Sequence, residues 1–209
     1  MKVILVNGSP NEKGCTYTAL TIVAEQLEAE GITTQIFQLG KDPIEGCRAC
    51  YACRKADGCV VGDIVNEFAE LAAGADGFVF GSPVHFAAAG GKITSFMNRL
   101  FFSTRSKPQL FQFKPGAVLV STRRAGATAA LDQLHKYLDY NQMPVATSRY
   151  WNMIHGTTPE EVRQDLEGVQ IMQVLGRNLA WLLRSLEAGR AAGLTPPPQE
   201  RTITTNFIR

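Results

Sequence analysis

Several things are scarce in this sequence, and each scarcity narrows what the chain can do. No apolar run approaches the ~18 residues of a membrane-spanning helix. Charge is almost balanced: 21 Lys and Arg against 19 Asp and Glu leave a formal net charge of +2. A nucleic-acid binder shows a strong basic excess on one face. None is present, so neither nucleic acid nor a membrane is an expected partner. No Gly-x-Gly-x-x-Gly fingerprint occurs, and no Gly-Lys-Ser/Thr closes a Walker loop. There is no internal repeat, and no low-complexity segment beyond Pro196-Pro197-Pro198. No catalytic triad or carboxylate pair stands out. Met1 to Asn7 is too short for a signal peptide and runs directly into Gly8-Ser9-Pro10, which sets the expectation of a cytoplasmic protein. Cysteine is sparse, five in 209 residues, yet four of the five fall within thirteen positions. In a reducing compartment such crowding points to metal or redox chemistry, not to a disulfide framework.

What is present is an ordinary globular composition, 45% apolar and 19% charged, with length enough for one α/β domain and a sizeable core. Strand-like and helix-like segments alternate. The expected strands are Lys2–Asn7, Thr33–Leu39, Gly77–Gly81, Gly116–Ser121 and Pro144–Tyr150. The expected helices are Thr16–Glu30, Asp63–Ala73 with Asp63 as its cap, Lys92–Thr104 and Ala127–Tyr140. A last helix starts at Thr158-Pro159-Glu160-Glu161, which reads as cap, first-turn proline and capping box, and runs to about Gly189. The expected division is one domain over 1–193 and an extended tail over 194–209. Alternation of this kind implies parallel strands joined by right-handed crossovers. Ligands of such sheets bind beyond the C-terminal strand ends. The loops beginning at Asn7, Gly81 and Ser121 should therefore converge, and they are the loops richest in Gly, Ser and Thr.

The first of these loops runs Gly8-Ser9-Pro10-Asn11-Glu12-Lys13-Gly14-Cys15-Thr16-Tyr17-Thr18. It places hydroxyl donors at Ser9 and at Thr16 or Thr18, then delivers the unpaired N–H groups of a helix N-terminus. That combination suits a phosphate dianion. A terminal monophosphate, as in FMN, fits better than ATP or NAD; the alternative is a plain strand-to-helix turn. Ser9, Pro10, Asn11, Gly14, Cys15, Thr16, Tyr17 and Thr18 are the candidate contacts. A thiol at Cys15 has two readings, an acidified redox-sensitive group or a small residue that fits the loop.

Gly46 to Cys59 carries Cys47, Cys50, Cys53 and Cys59 in the spacing C-x2-C-x2-C-x5-C. Four thiolates on one compact loop can wrap a 4Fe–4S cubane, with Arg48, Arg54 and Lys55 offsetting part of the negative charge. Tetrahedral zinc is a second reading, although zinc sites usually split into two separated knuckles. Free or redox-active thiols are a third.

The pattern Gly8-Ser9-Pro10…Gly14-x-Thr16 resembles the first loop of the NADPH-dependent FMN reductase and iron–sulfur flavoprotein family, in which Asn usually stands where this chain has Cys15. Ser82-Pro83-Val84-His85, followed by Phe86 and small residues, resembles the family's second loop, with His85 in place of the usual Tyr. Ser121 to Thr128 resembles the third, with Arg123 and Arg124 departing from a Gly-rich run. The cysteine spacing is similar to that of the iron–sulfur flavoproteins. The resemblance implies a flavodoxin-like three-layer α/β sandwich with a five-stranded parallel sheet in the order 2-1-3-4-5. It implies FMN at the strand ends, contacted by Pro83, Val84, His85, Phe86 and Ala87 and by Ser121, Arg123, Arg124 and Gly126. His85 would be a titratable donor near the flavin or a solvent-facing side chain; the two arginines would hold negative charge or lie on the surface. Trp151 and His155 are candidates for lining a substrate pocket.

The function implied is an oxidoreductase taking electrons from NAD(P)H to a small acceptor such as a quinone or flavin. An electron carrier with FMN and a 4Fe–4S cluster, exchanging electrons with a ferredoxin-like protein, is the second reading. A binding module without flavin is the third. Family members generally form dimers or tetramers, which implies a homodimer or homotetramer here.

Overall fold

The computed structural model of the chain describes residues 1–200, 203–205 and 207. Positions 201, 202, 206, 208 and 209 of the expected tail lie outside the described residues. In chain order the elements are β1 (Lys2–Asn7), α1 (Cys15–Ala29), β2 (Thr33–Gln38), α2 (Ile64–Ala72), β3 (Gly77–His85) and β4 (Ala88–Ala89). They continue with α3 (Gly91–Ser103), β5 (Gly116–Thr122), α4 (Ala127–Tyr140), β6 (Met153–His155), α5 (Pro159–Gln164) and α6 (Leu166–Ala191).

Five parallel strands lie in the order β2-β1-β3-β5-β6, and two-residue β4 pairs antiparallel with the end of β3. The path of the parallel strands is the flavodoxin-like order that the resemblance implies, and the structure adds β4. Helices cover both faces because the strands are apolar on both faces, with alternate residues feeding opposite layers. Ile4, Val6, Phe78, Phe80, Val118 and Val120 pack against α2, α3 and α4. Val3, Leu5, Val79, Ala117 and Leu119 pack against α1 and α6. The first core is rich in aromatic edge-to-face contacts; Phe68 meets Phe96 at 5.2 Å and Phe37 at 5.0 Å between ring centroids.

Two expectations are corrected. Pro144–Tyr150 is not the last strand. The chain touches β5 once, where Gly116 N donates to Pro144 O at 2.9 Å and Ala146 N donates to Gly116 O at 2.9 Å. It then bulges away and rejoins the ladder at Met153–His155. Buried Asn152 closes the gap: its Nδ2 donates to Val118 O at 2.9 Å, and Val120 N donates to its main-chain oxygen at 2.9 Å. A polar side chain here does the work of a strand residue, which propensity alone does not reveal.

The final helix is two helices. Thr158 Oγ1 accepts from Glu161 N, as the capping pattern predicted, but α5 stops at Gln164. Asp165, at φ −74° and ψ 80°, leaves the helical region and caps α6 by accepting from Gly168 N at 3.0 Å. Described residues 194–200 are exposed and have no regular structure. No helix among the described residues is long and apolar enough to cross a membrane.

Candidate functional site

Loops following β1, β3–β4, β5 and β6 meet at the C-terminal edge of the sheet. Direct hydrogen bonds tie them together. Gly8 N donates to Gly81 O at 2.9 Å, joining the first loop to the second. Thr16 Oγ1 and Ser121 Oγ share a hydrogen bond of 2.8 Å, joining the first to the third. Gly126, at φ +89°, stands so close to the second loop that a Cβ there would lie 2.5 Å from Ala87 Cα. Gly156 N donates to Thr122 O at 3.0 Å, and the Cys15 thiol donates to Gly156 O at 3.6 Å, which brings the β6 loop in as well.

The first loop is braced from beneath. Asn7 is fully buried at the end of β1; its Nδ2 donates to Gln38 Oε1 at 2.5 Å and, at 3.4 Å, to the carbonyls of Asn11 and Glu12. Its Oδ1 accepts from Ser9 N at 3.1 Å, while Gln38 Nε2 donates to Ser9 O at 2.8 Å. Ser9 Oγ in turn accepts from Asn11 N at 3.1 Å. Pro10 is half-buried and Asn11 is exposed on the outer side of the loop. Asn7 and Gln38 were missed as bracing residues by the sequence reading. The signal was available: a polar residue ends an otherwise apolar buried strand.

Gly14 precedes α1 with no side chain capping the helix, and no acidic residue occupies the first turn. The N–H groups at Cys15, Thr16 and Tyr17 thus face the loop as an anion would require. Gly90 and Gly126, which begin α3 and α4, likewise supply no side-chain cap, whereas Asp63, Thr158 and Asp165 cap α2, α5 and α6. The uncapped starts are the three that belong to the converging loops.

Of the expected hydroxyl donors, Thr18 is spent internally, donating to Gly14 O at 3.1 Å. Ser9 keeps its hydrogen, and the Thr16–Ser121 pair keeps one between its two members, since only one of them donates to the other. Burial pushes the Cys15 thiol above its ordinary range, and the carboxylates of Glu161 and Glu160 add to the shift against the backbone hydrogen bond that lowers it. The acidified reading of Cys15 is therefore replaced by that of a protonated thiol packed against Gly156. Alkylation of Cys15 by iodoacetamide at neutral pH is expected to run at least about tenfold slower than at an exposed unshifted cysteine. Peptide mass spectrometry over a time course measures it, and equal rates would contradict this placement.

The second loop is a tight hairpin. Phe86 and Ala87 form its turn at φ 50° and 57°, both left-handed, between His85 and Ala88. Such angles strain side chains other than glycine's. Phe86 is fully exposed at the tip. Pro83 and Val84 are half-buried, and His85 is exposed at the end of β3. Buried Ser82 pins the hairpin by accepting from Gly90 N at 2.9 Å. In the third loop Thr122 Oγ1 donates to Ala125 O at 3.2 Å, and Arg123 and Arg124 are exposed. Trp151 is exposed and stacks edge-on with Tyr150 at 4.6 Å. His155 N donates to Asp165 Oδ2 at 2.7 Å, and its Nδ1 lies 3.2 Å from the same oxygen.

The cysteine segment leaves the same edge after β2. Ala49 and Tyr51 adopt left-handed angles, φ 52° and 58°, and a single 3-10 turn spans Ala52–Arg54. These bends turn the segment on itself, so that Cys47, Cys50, Cys53 and Cys59 all line one hollow together with Arg99, Phe102 and Ser103. Cys59 is held by Asn66 of α2, whose Oδ1 accepts from Cys59 N at 3.0 Å and whose Nδ2 donates to Cys59 O at 2.7 Å. All four thiols are unbridged. Among the described residues, no three His, Cys, Asp or Glu side chains close on one point as ligands of a single metal ion. Beneath the segment, fully buried Arg99 forms a bidentate pair with Asp63, at 2.6 and 2.8 Å. Burial works to raise the Asp63 carboxyl, but Arg99 and the Val65 N–H hold it below the ordinary range.

A family model described as NADPH-dependent FMN reductase matches residues 1–158. An iron–sulfur flavoprotein of Methanocaldococcus jannaschii is 27% identical over 90% of this chain and 100% of its own length. An iron–sulfur flavoprotein of Methanosarcina thermophila is 23% identical over 91% of this chain and 99% of its own. Among solved structures, RosB with bound 8-demethyl-8-formylriboflavin-5'-phosphate superposes with a TM-score of 0.68 at 15% identity, covering 100% of this chain and 94% of that one. A flavodoxin from the domain Archaea gives 0.58 at 17% identity, over 88% of this chain and 99% of that one. At these identities the structural likeness speaks for the fold.

Proposed function

The chain belongs to the NADPH-dependent FMN reductase family, and we propose that it is an FMN-dependent oxidoreductase whose four-cysteine loop holds a 4Fe–4S cluster beside the flavin. The observation that carries the cluster is the convergence of Cys47, Cys50, Cys53 and Cys59 on one hollow lined by a buried guanidinium. The residues fit such a group. Four thiols lining one hollow are the donor set that a 4Fe–4S cubane takes. Full-length relatives named iron–sulfur flavoprotein support the same reading.

Bound FMN supplies the electron chemistry; the chain supplies position and electrostatics. Ser9, Thr16, Ser121 and the unpaired N–H groups of Cys15 to Tyr17 hold its phosphate at the positive end of α1. Pro83, Val84, His85 and Ala87 run along the ring system, and the strained turn presents Phe86 as an aromatic wall. Gly126 lets the third loop close against Ala87. Arg123 and Arg124 stand exposed at this edge with no carboxylate partner among the described residues. They favour an anionic donor such as NAD(P)H or an anionic acceptor, and a ferredoxin-like protein remains the partner for the cluster side. In this reading 1–193 is one FMN-binding domain and 194–209 its tail, and the protein works as a homo-oligomer.

The test is anaerobic purification followed by flavin, iron and zinc analysis. About one FMN and about four irons per chain is the expected result. FMN without metal removes the cluster and leaves the reductase, to be followed by bleaching with NAD(P)H. A protein that neither carries nor binds FMN overturns the proposal.

A further inference from the structure

Arg99 is the largest fully buried side chain among the described residues, and nothing in its own helix explains it. It sits in α3 among Phe96, Met97, Leu100 and Phe101, all of them core residues. An arginine in that setting is retained against a considerable desolvation cost. Its Nη1 donates to Asp63 Oδ2 at 2.6 Å and to Glu45 O at 3.3 Å. Nη2 donates to Asp63 Oδ1 at 2.8 Å, to Val61 O at 3.1 Å and to the Cys59 sulfur at 3.4 Å. Glu45 lies just before the first cysteine of the loop, and Val61 just after the last. One planar guanidinium therefore ties both ends of the cysteine segment to the cap of α2 and reaches one of the four sulfurs. Its Nε is buried with no partner among the described residues.

We propose that Arg99 is the positioning residue of the cysteine loop: it closes the loop's two ends, orients Cys59 through an N–H···S hydrogen bond, and thereby raises the reduction potential of the cluster. Hydrogen bonds to ligand sulfurs and nearby positive charge both stabilise the more negative reduced form. Asp63 has the opposite sign of influence. It orients the guanidinium but offsets its charge. This inference rests on the cluster reading above.

Lysine at position 99 keeps the charge but has no fork, so it cannot serve Asp63, Val61 and Cys59 together. In Arg99→Lys the cluster's midpoint potential is expected to fall by ~59 mV or more, a tenfold loss in the reduced-to-oxidised ratio at fixed potential. The FMN couple should stay in place. In Asp63→Asn, which keeps a cap oxygen for α2 and removes the countercharge, the cluster potential is expected to rise. Both are measured by redox titration of anaerobically purified protein, with iron content and far-UV circular dichroism on the same samples. A folded Arg99→Lys protein that no longer retains iron also supports the positioning role, and Asp63→Asn then reports the electrostatic part. Unchanged potentials in both variants, or shifts of the same sign, overturn the proposal, because general loosening of the loop would move both alike. A wild-type protein without iron fails the cluster reading itself, and the inference falls with its premise; that outcome is distinct from an iron-loaded wild type with insensitive variants.

Discussion

In the Cys50→Ser protein, iron falls from about four atoms per chain to fewer than about one, while FMN stays bound and the fold is unchanged. Cys50 is exposed, so the substitution touches no core contact, and its direct effect on stability stays within about 0.5 kcal/mol. A cubane, in contrast, needs all four thiolates at once. Serine's hydroxyl remains protonated at neutral pH and is a poor ligand for iron. The visible absorption of the cluster should vanish and leave a clean flavin spectrum. The outcome separates the three chemistries that the spacing alone left open. A zinc site would lose zinc without a colour change, and its loss would lower the thermal midpoint, because structural zinc contributes folding energy. Free thiols would lose only one equivalent of reactive sulfhydryl. An unchanged iron content would remove Cys50 from the ligand set.

The second large effect is expected at the flavin side. Gly126→Ala should weaken FMN binding by about a hundredfold, equivalent to ~2.7 kcal/mol, without altering iron content. Two causes act together. Gly126 sits at φ +89°, where an L-residue pays a penalty of roughly 1–2 kcal/mol. Its new Cβ would also fall 2.5 Å from Ala87 Cα and 2.8 Å from Ala87 Cβ, which real atoms cannot occupy. Ala87 belongs to the strained Phe86–Ala87 turn, so relief comes by pushing that turn outward, off the ring system that it contacts in the proposed reading. Fluorescence titration of apoprotein with FMN measures the change. Affinity within about threefold of the wild type would show that the two loops are not jointly clamped on the flavin.

The position of Arg99 changes how the cysteine segment reads as a structure. The segment from Gly46 to Cys59 has almost no regular structure, a single 3-10 turn excepted. Its shape is set by side chains from elsewhere: Arg99 from α3 and Asn66 from α2. The loop leaves β2 beside the first loop, where Leu39 N donates to Asn7 O at 3.1 Å. The proposed cluster and the proposed phosphate loop thus spring from neighbouring strands at one sheet edge, a placement suited to passing electrons between two centres.

By itself the sequence determined the architecture and which loops converge at one sheet edge. Short continuous apolar strands such as Lys2–Asn7, with helices between them, admit few arrangements other than a parallel sheet covered on both faces. Strand ends rich in Gly, Ser and Thr picked out the loops that converge at one edge, and the four-cysteine spacing picked out the segment whose thiols line one hollow. Caps at Asp63 and Thr158 were readable because capping is local: the side chain and the N–H that it accepts from lie two or three residues apart.

What only the tertiary structure decided depends on partners distant in sequence. The last strand lies at Met153–His155 because Val118 and Val120 of β5 accept Asn152 as the filler of a bulge. Cys15 is a half-buried thiol raised above its ordinary range, chiefly by the desolvation that packing brings and further by the carboxylates of Glu161 and Glu160, and it donates to Gly156 O, all from distant parts of the chain. Arg99 reads in the sequence as one charge on an otherwise apolar helix stripe. Its task appears once folding brings it to Glu45, Cys59, Val61 and Asp63, some 36 to 54 positions away. Long-range polar contacts follow no period, and a buried charge is stable only where its partners are already in place.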